Sequence, residues 1–182
     1  MIKLVVFVVT SMVIVFISWR SLPKPRSHGF YRFFAFELLL ILILINIDYW
    51  LEDPLSIHQL ISWFLLFVSL ILAIHGFYLL WVMGKPKGGE EETSNLAFEN
   101  TTQLVTIGAY KYIRHPLYAS LLLLGWGIFF KYPTLLGGVL ALVISVFLTA
   151  TAKAEENENI IRFGDDYLHY RETTRMFIPW LI

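Results

Sequence analysis

Residues 57–83 read IHQLISWFLLFVSLILAIHGFYLLWVM, an apolar run without a single Asp, Glu, Lys or Arg. A helix needs roughly 20 apolar residues to cross about 30 Å of hydrocarbon, so this stretch is long enough to span a membrane. Two further long stretches cover about residues 30–50 and 134–152, and two shorter ones cover 4–19 and 117–130. The sequence therefore predicts an all-α, multi-pass membrane protein with about five transmembrane helices.

The composition is typical of a chain whose surface faces lipid. Hydrophobic residues make up 57% of the chain and charged residues 15%, whereas soluble domains carry about a quarter charged residues. The formal net charge is zero, which argues against nucleic acid as a partner, because such binding requires a basic patch. The chain has no cysteine, and its histidines lack the spacing of metal ligands. We therefore expect neither disulfides nor a metal site.

Basic residues are concentrated on one side of the predicted spans. Of the fourteen Lys and Arg residues, only Lys3 and Lys131 fall on the other side, together with Asp48, Glu52 and Asp53. Because positive charge favours the cytosolic side, we expect an N-terminus outside and a C-terminus in the cytosol. The first helix is expected to stay uncleaved, since little positive charge precedes its apolar core.

Two polar segments connect or follow the predicted spans. The segment between residues 84 and 101 contains Gly-Lys-Pro-Lys-Gly-Gly-Glu-Glu-Glu, which is typical of a flexible, charged connector. After Lys153 the sequence alternates carboxylates, aromatic residues and arginines. This pattern predicts a cytosolic amphipathic helix that continues the fifth span and is interrupted at Gly164.

The motif Arg114-His115-Pro116-Leu117-Tyr118 opens the short fourth stretch. Proline is favoured in the first turn of a helix, so we expect the helix to begin at Pro116 with His115 at the N-cap. The free backbone N–H groups there bind anions, including a cofactor carboxylate. The alternative is structural, with Arg114 extending to the membrane surface and His115 only capping the helix.

The second polar cluster lies beyond the fifth stretch. Glu155 and Glu156 could accept hydrogen bonds from ribose hydroxyls or stabilise a sulfonium cation, or they could form a solvated helix end. Tyr167 and Tyr170 share one helix side and could bound a flat ligand, or belong to an aromatic belt. Arg175 could contact anionic lipid.

Two polar residues lie inside predicted spans. Glu37 could line a substrate cavity or pair with Arg32, and His75 could line the same cavity or be a hydrogen-bonded packing residue. The sequence leaves both roles open. A Gly-x-Gly-x-x-Gly motif and a Walker loop are both missing from the sequence, which argues against a Rossmann-type or P-loop nucleotide site.

Residues 103–118, QLVTIGAYKYIRHPLY, resemble the signature of isoprenylcysteine carboxyl methyltransferases and the related phospholipid methyltransferases. The later residues follow the family order as well: Glu155-Glu156, Phe163-Gly164, Tyr167, Tyr170, Arg175 and Pro179. The resemblance covers about residues 100–180. It divides a single membrane domain, 1–182, into variable N-terminal spans, 1–100, and a methyltransferase-like core, 101–182. Glu158 departs from the family, which usually has an apolar residue there.

The resemblance implies methyl transfer from S-adenosylmethionine to a lipid or lipidated acceptor in the membrane, foremost a carboxylate of the isoprenylcysteine type. A phospholipid amine and a small thiol stay open as acceptors. The implied catalytic residues are Arg175, near the acceptor carboxylate or phosphate, with His115 and Glu156. The implied cofactor-binding residues are Leu104, Val105, Tyr110, Arg114, His115, Pro116, Tyr118, Glu155, Glu156, Tyr167 and Tyr170.

Two other functions are compatible with the sequence. The first is a membrane reductase of the sterol-reductase type, which would bind NADPH. Glutamates at 155, 156 and 158 disfavour it, because they would repel the additional phosphate of NADPH. The second is a non-catalytic membrane partner protein.

Overall fold

The computed structural model describes residues 1–84 and 101–179, and this part of the chain is helical. Its α-helices, in chain order, are α1 Ile2–Ser18, α2 His28–Asn46, α3 Ile57–Met83, α4 Pro116–Phe129, α5 Leu135–Phe163 and α6 Asp165–Thr173. Short 3₁₀ turns occupy Ile47–Tyr49 and Gly108–Lys111. The all-α prediction is confirmed. The predicted charged connector, residues 85–100, lies outside the described residues, as do residues 180–182.

Three helices are long and apolar enough to cross a membrane by length and composition: α2 with its following 3₁₀ turn, α3 and α5. The helices α1 and α4 are apolar but shorter. With 14 residues, α4 is about 21 Å long, less than the thickness of the hydrocarbon layer. The membrane character of the fold is therefore clear, while the count of five spans stays a prediction.

Consecutive long helices run in opposite directions. An ion pair between Lys3 and Asp48 joins the start of α1 to the end of α2. At the other end of the bundle, His28 at the start of α2 pairs with Glu158 near the end of α5. Side by side, the helices pack in the order α1, α2, α5, α4, α3. We call the end where α2 and α4 begin the site face, and the opposite end the far face.

Small and polar residues bring α3 and α4 close together. Ser62 and Ser69 of α3 donate hydrogen bonds of 2.7 Å to the backbone carbonyls of Gly127 and Ser120 in α4. A Cβ atom at Gly127 would lie 2.9 Å from the Leu66 side chain, so glycine is required for this approach. Such contacts replace the hydrophobic effect, which does not drive helix association within lipid. They fix the position of α4, whose first turn carries the motif.

A buried lysine fastens the turns at the far face. Lys131 is fully buried, and its Nζ atom lies 3.2 Å from the ring centroid of Trp63. It also donates a 3.0 Å hydrogen bond to Gln59. Desolvation lowers the pKa of Lys131 to about 8. The adjacent Tyr132 stacks on Tyr49 at 3.9 Å between ring centroids, so the α4–α5 turn is joined to the α2–α3 turn.

The segment after α6 returns along the residues that precede α4. An isolated parallel bridge pairs Ile113 with Arg175, and Phe177 is buried in the hydrophobic core. Three backbone hydrogen bonds join the two segments: Arg175 N to Tyr112 O at 3.1 Å, Arg114 N to Arg175 O at 2.7 Å, and His115 N to Met176 O at 3.2 Å. The C-terminal segment thus holds the backbone of the motif in place.

Gly164 separates α5 from α6, as the sequence predicts, with φ 59° and ψ −134°. Because side chains disfavour this backbone conformation, Gly164→Ala should destabilise the protein by about 1–3 kcal/mol. Space is not the cause, since a Cβ there would meet nothing within 4 Å. Thermal unfolding in detergent checks this. The control is Gly138→Ala inside α5, which should stabilise the helix by about 0.5–1 kcal/mol. If Gly164→Ala raised the thermal stability as much as Gly138→Ala does, residue 164 would not be strained by a side chain.

Candidate active site

The motif begins α4 in the predicted way. Pro116 is the first helical residue and His115 is the N-cap, although its side chain does not cap the helix. Instead His115 lies inside the protein, 4% exposed, with its Nε2 atom 3.3 Å from Oε1 of Glu156. The ring of Tyr118 stacks on it at 5.5 Å between centroids. The imidazole is therefore held between a carboxylate and an aromatic ring.

Arg114 joins three elements at the site face. Its Nε atom donates a 2.7 Å hydrogen bond to the same Glu156 oxygen. Its Nη1 atom donates to the carbonyls of Arg171 at the end of α6 and Thr174 just after it, at 3.2 and 2.5 Å. The side chain thus points into the protein. The alternative of an arginine that extends to the membrane surface does not apply to it.

The two adjacent glutamates of α5 face different partners, since successive helix residues point about 100° apart. Glu156 is buried and accepts hydrogen bonds from Arg114 and His115. Glu155 accepts a short hydrogen bond from the hydroxyl of Tyr118. The predicted pair of carboxylates is therefore not a solvated helix end, because both carboxylates bind residues of the motif.

Two tyrosines of α6 lie beside these carboxylates. Tyr170 donates a 2.6 Å hydrogen bond to the carbonyl of Tyr110, which ties α6 to the 3₁₀ turn. Tyr167 is 2% exposed, and its hydroxyl has no hydrogen-bond partner among the described residues. Burial raises the pKa of Tyr167 above its usual value, the charge of Glu156 adds to this effect, and the neighbouring side chain of Asn159 opposes it. The hydroxyl therefore keeps its proton and can donate a hydrogen bond to a ligand.

These side chains surround one cavity of about 620 Å³, a volume that includes its open mouth. Its wall contains most of the predicted cofactor residues: Leu104, Val105, Tyr110, Arg114, His115, Tyr118, Glu155, Tyr167 and Tyr170. Sequence reasoning missed five others: Leu80, Thr101, Leu117, Asn159 and Phe163. Motifs that lie far apart in the sequence thus meet at one site.

Three predicted residues do not line the cavity. Pro116 shapes the first turn of α4. Glu156 affects the cavity indirectly, because it binds Arg114 and His115, which line it. The side chain of Arg175 is exposed and lies in a shallow surface groove with Lys111. Its backbone supports the motif, while a role at an acceptor carboxylate or phosphate stays a prediction.

Glu37 and His75 contact neighbouring elements. Ser11 of α1 donates a 2.7 Å hydrogen bond to Glu37 of α2. The backbone N–H of Ala109 donates to Nε2 of His75 at 3.3 Å, which joins α3 to the 3₁₀ turn. Neither side chain lines the cavity at the site face. Within residues 1–84 and 101–179, His, Asp and Glu form no cluster that could hold a metal ion.

An apolar groove, about 1,080 Å³ including its open side, runs along α4 on the other side of the motif. Its walls come from α3, α4, α5 and the C-terminal segment: Leu65, Leu72, Ala119, Leu122, Leu123, Trp126, Phe130, Ser145, Thr149, Phe177 and Ile178. The ring centroid of Phe177 lies 6.3 Å from that of His115. The groove therefore ends next to the cavity.

The comparison with protein families agrees with this geometry. The model of the family described as phospholipid methyltransferase matches residues 60–163, more than half of the chain. The chain belongs to this methyltransferase family. In this methyltransferase family member, the matched region runs from α3 to the last residue of α5. It begins before residue 100, where the sequence resemblance begins, and ends before Tyr167 and Tyr170.

Two curated relatives extend the comparison. Methanethiol S-methyltransferase 1 of Bradyrhizobium diazoefficiens is 28% identical over 181 residues, covering 91% of this chain and 59% of the relative. Methanethiol S-methyltransferase of Crocosphaera subtropica is 28% identical over 184 residues, covering 91% of this chain and 67% of the relative. The chain thus spans about three fifths to two thirds of the length of these two relatives. No solved structure matches it.

Proposed function

We propose that this protein transfers a methyl group from S-adenosylmethionine, with the cavity at the site face as the cofactor site. One observation carries the proposal: a buried, unpartnered hydroxyl donor, Tyr167, lies in one cavity with the acceptor groups of Glu155 and Asn159. Such a set fits a ligand with both hydroxyl and carboxylate groups. Carboxylates nearby also suit a cation. When bound, S-adenosylmethionine would supply an already activated methyl group on a positively charged sulfur.

The cavity residues then have separate tasks. Glu155 would accept hydrogen bonds from hydroxyl groups of the cofactor, Asn159 would accept or donate them, and Tyr167 would donate one to a carboxylate or hydroxyl oxygen of the cofactor. The rings of Phe163 and Tyr110 would exclude water from the reacting atoms. Because the methyl group is already activated, positioning and exclusion of water provide most of the rate enhancement.

His115 and Glu156 form a candidate proton acceptor. An ionised carboxylate only accepts hydrogen bonds, so the contact with Glu156 places a proton on Nε2 of His115 and leaves Nδ1 free to accept one. Such a base is useful for an acceptor that must lose a proton, as a thiol does. Both curated relatives are named for a thiol acceptor, methanethiol. We therefore propose a thiol as the first candidate acceptor.

A lipid-borne acceptor is the second candidate, and it includes the isoprenylcysteine carboxylate implied by the sequence resemblance. The apolar groove along α4 favours it, since the walls of the groove are almost entirely apolar side chains and therefore suit an aliphatic chain. The groove ends at Phe177, next to His115. Membership in a methyltransferase family favours both candidates over an NADPH-dependent reductase or a non-catalytic partner.

We also propose that the site face lies in the cytosol, with five membrane passes. The positive-inside rule supports this orientation, because the described residues at the site face include exposed Arg20, Lys24, Arg26, Lys111 and Lys153. A water-soluble cofactor would then reach the cavity directly from the cytosol.

Purified protein in detergent should bind S-adenosylhomocysteine in a calorimetric titration and should methylate methanethiol with tritiated S-adenosylmethionine, giving volatile labelled dimethyl sulfide. A prenylated cysteine analogue and phosphatidylethanolamine serve as parallel acceptors. Label in the prenylcysteine ester would select the second candidate. If folded protein failed to bind S-adenosylhomocysteine at high micromolar concentration, the cofactor assignment would be wrong.

A further inference from the structure

The last turns of α5 are held from two sides. On one side Glu156 accepts hydrogen bonds from Arg114 and His115. On the other side Glu158 accepts two hydrogen bonds from His28, at 2.7 Å from Nδ1 and at 3.4 Å from the backbone N–H. His28 is 1% exposed. Because the imidazole is buried, its contact with Glu158 is less screened by solvent than an ion pair between two exposed side chains.

The position of Glu158 suits the start of α2 in a second way. His28 is the first residue of α2, after the N-cap Ser27. The backbone N–H groups of a first helical turn have no partner within the helix, and negative charge there is favourable. The Glu158 carboxylate binds one of these groups and the imidazole together. This double contact accounts for a carboxylate at the partly buried position 158.

The two contacts oppose each other around the axis of α5. At about 100° per residue, the side chains of Glu156 and Glu158 point about 160° apart. Glu155 and Asn159 lie in the sector between them and line the cavity. A helix held on two opposite sides cannot rotate about its axis. Without the Glu158 contact, this part of α5 would be held only from the side of the motif, by Arg114, His115 and Tyr118, and a small rotation would displace Asn159 within the cavity wall.

We infer that the His28–Glu158 pair positions the cofactor-binding wall of α5, so that α2, none of whose residues lines the cavity, influences the affinity for the cofactor. The inference rests on the proposed function. His28 and Glu158 act through Glu155 and Asn159 and are positioning residues. Loss of the pair should weaken cofactor binding more than the chemical step, because the base, His115, is held by the opposite contact.

A double-mutant cycle tests this, with His28→Gln, Glu158→Gln and the double variant. Each single variant should raise the dissociation constant of S-adenosylhomocysteine and the KM for S-adenosylmethionine about tenfold, a size expected for residues in direct contact. The kcat at saturating cofactor should change less than about threefold, because a lost ground-state contact raises KM and not the barrier from the bound state. The double variant should bind S-adenosylhomocysteine about as well as the single variant with the lower affinity, because either substitution alone already removes the contact.

Asn157→Ala is the matched control, since Asn157 is exposed on the same turn of α5, and it should bind as the wild type does. Unchanged affinity in folded His28→Gln and Glu158→Gln proteins, with only lower thermal stability, would overturn the inference, and so would additive effects in the double variant. If the wild type itself fails to bind S-adenosylhomocysteine, the proposed function fails instead. The two failures are therefore distinct.

Discussion

Replacing Glu156 by alanine should both abolish methyl transfer and strongly destabilise the protein. The carboxylate is buried, and one of its oxygen atoms accepts hydrogen bonds from Arg114 and His115. Without it, the guanidinium of Arg114, whose side chain is only 10% exposed, loses its counter-charge inside the protein. Removing one partner of such a buried pair costs about 3–5 kcal/mol. The midpoint of thermal unfolding in detergent and the transfer rate measure the two effects.

A second substitution at the same position separates stability from catalysis. Glu156→Gln keeps the shape of the side chain and an oxygen that can accept from Arg114, so it should lose less stability than Glu156→Ala, although Arg114 still lacks its counter-charge. The rate should still fall at least about tenfold, because a neutral amide does not stabilise a protonated His115. Glu52→Ala, which removes an exposed carboxylate at the far face, should change neither quantity. A wild-type rate in Glu156→Gln would show that the negative charge is not needed.

The second large effect concerns His115 itself. His115→Gln should lower kcat for a thiol acceptor by about 10²–10⁴, the usual contribution of a general base. The defect should shrink as the pH rises toward the pKa of the acceptor thiol, since the acceptor then ionises without help. Transfer to a carboxylate acceptor, which is already ionised at neutral pH, should be affected far less.

Binding of S-adenosylhomocysteine provides the control for this variant. His115→Gln should bind it within a few-fold of the wild type if the imidazole serves as a base. An equal loss with thiol and carboxylate acceptors, together with lost binding, would instead assign His115 to holding the cofactor. The comparison therefore also helps to choose between the two candidate acceptors.

Much of the fold follows from the sequence, because lipid demands long apolar helices and proline and glycine mark their ends. Pro116 correctly predicted where α4 begins, and Gly164 where α5 is interrupted. The three helices that are long and apolar enough to cross a membrane follow equally directly from the sequence. Pairing between residues 112–115 and 175–176 was not predictable, since an isolated bridge leaves no periodic pattern in the sequence.

The candidate site was predictable to the extent that it lies in local motifs. Asn159 has a sequence signal, because it stands one helix turn after Glu155. Leu80 has none, since it reaches the cavity only through the packing of α3 beside α4. The exposed position of the Arg175 side chain could not be anticipated either, because it depends on how the C-terminal segment turns back.

The burial of Lys131 has a consequence for the electric field along the bundle. At the far face the other lysine, Lys3, pairs with Asp48, while Glu52 and Asp53 remain exposed. The far face thus presents negative charge and the site face positive charge, which gives the bundle a dipole along its axis. A leaflet rich in anionic lipid attracts each nearby Lys or Arg by about 1 kcal/mol. Because Lys131 is enclosed by aromatic rings, it cannot reach lipid headgroups, so such a leaflet finds fewer accessible cations at the far face than at the site face.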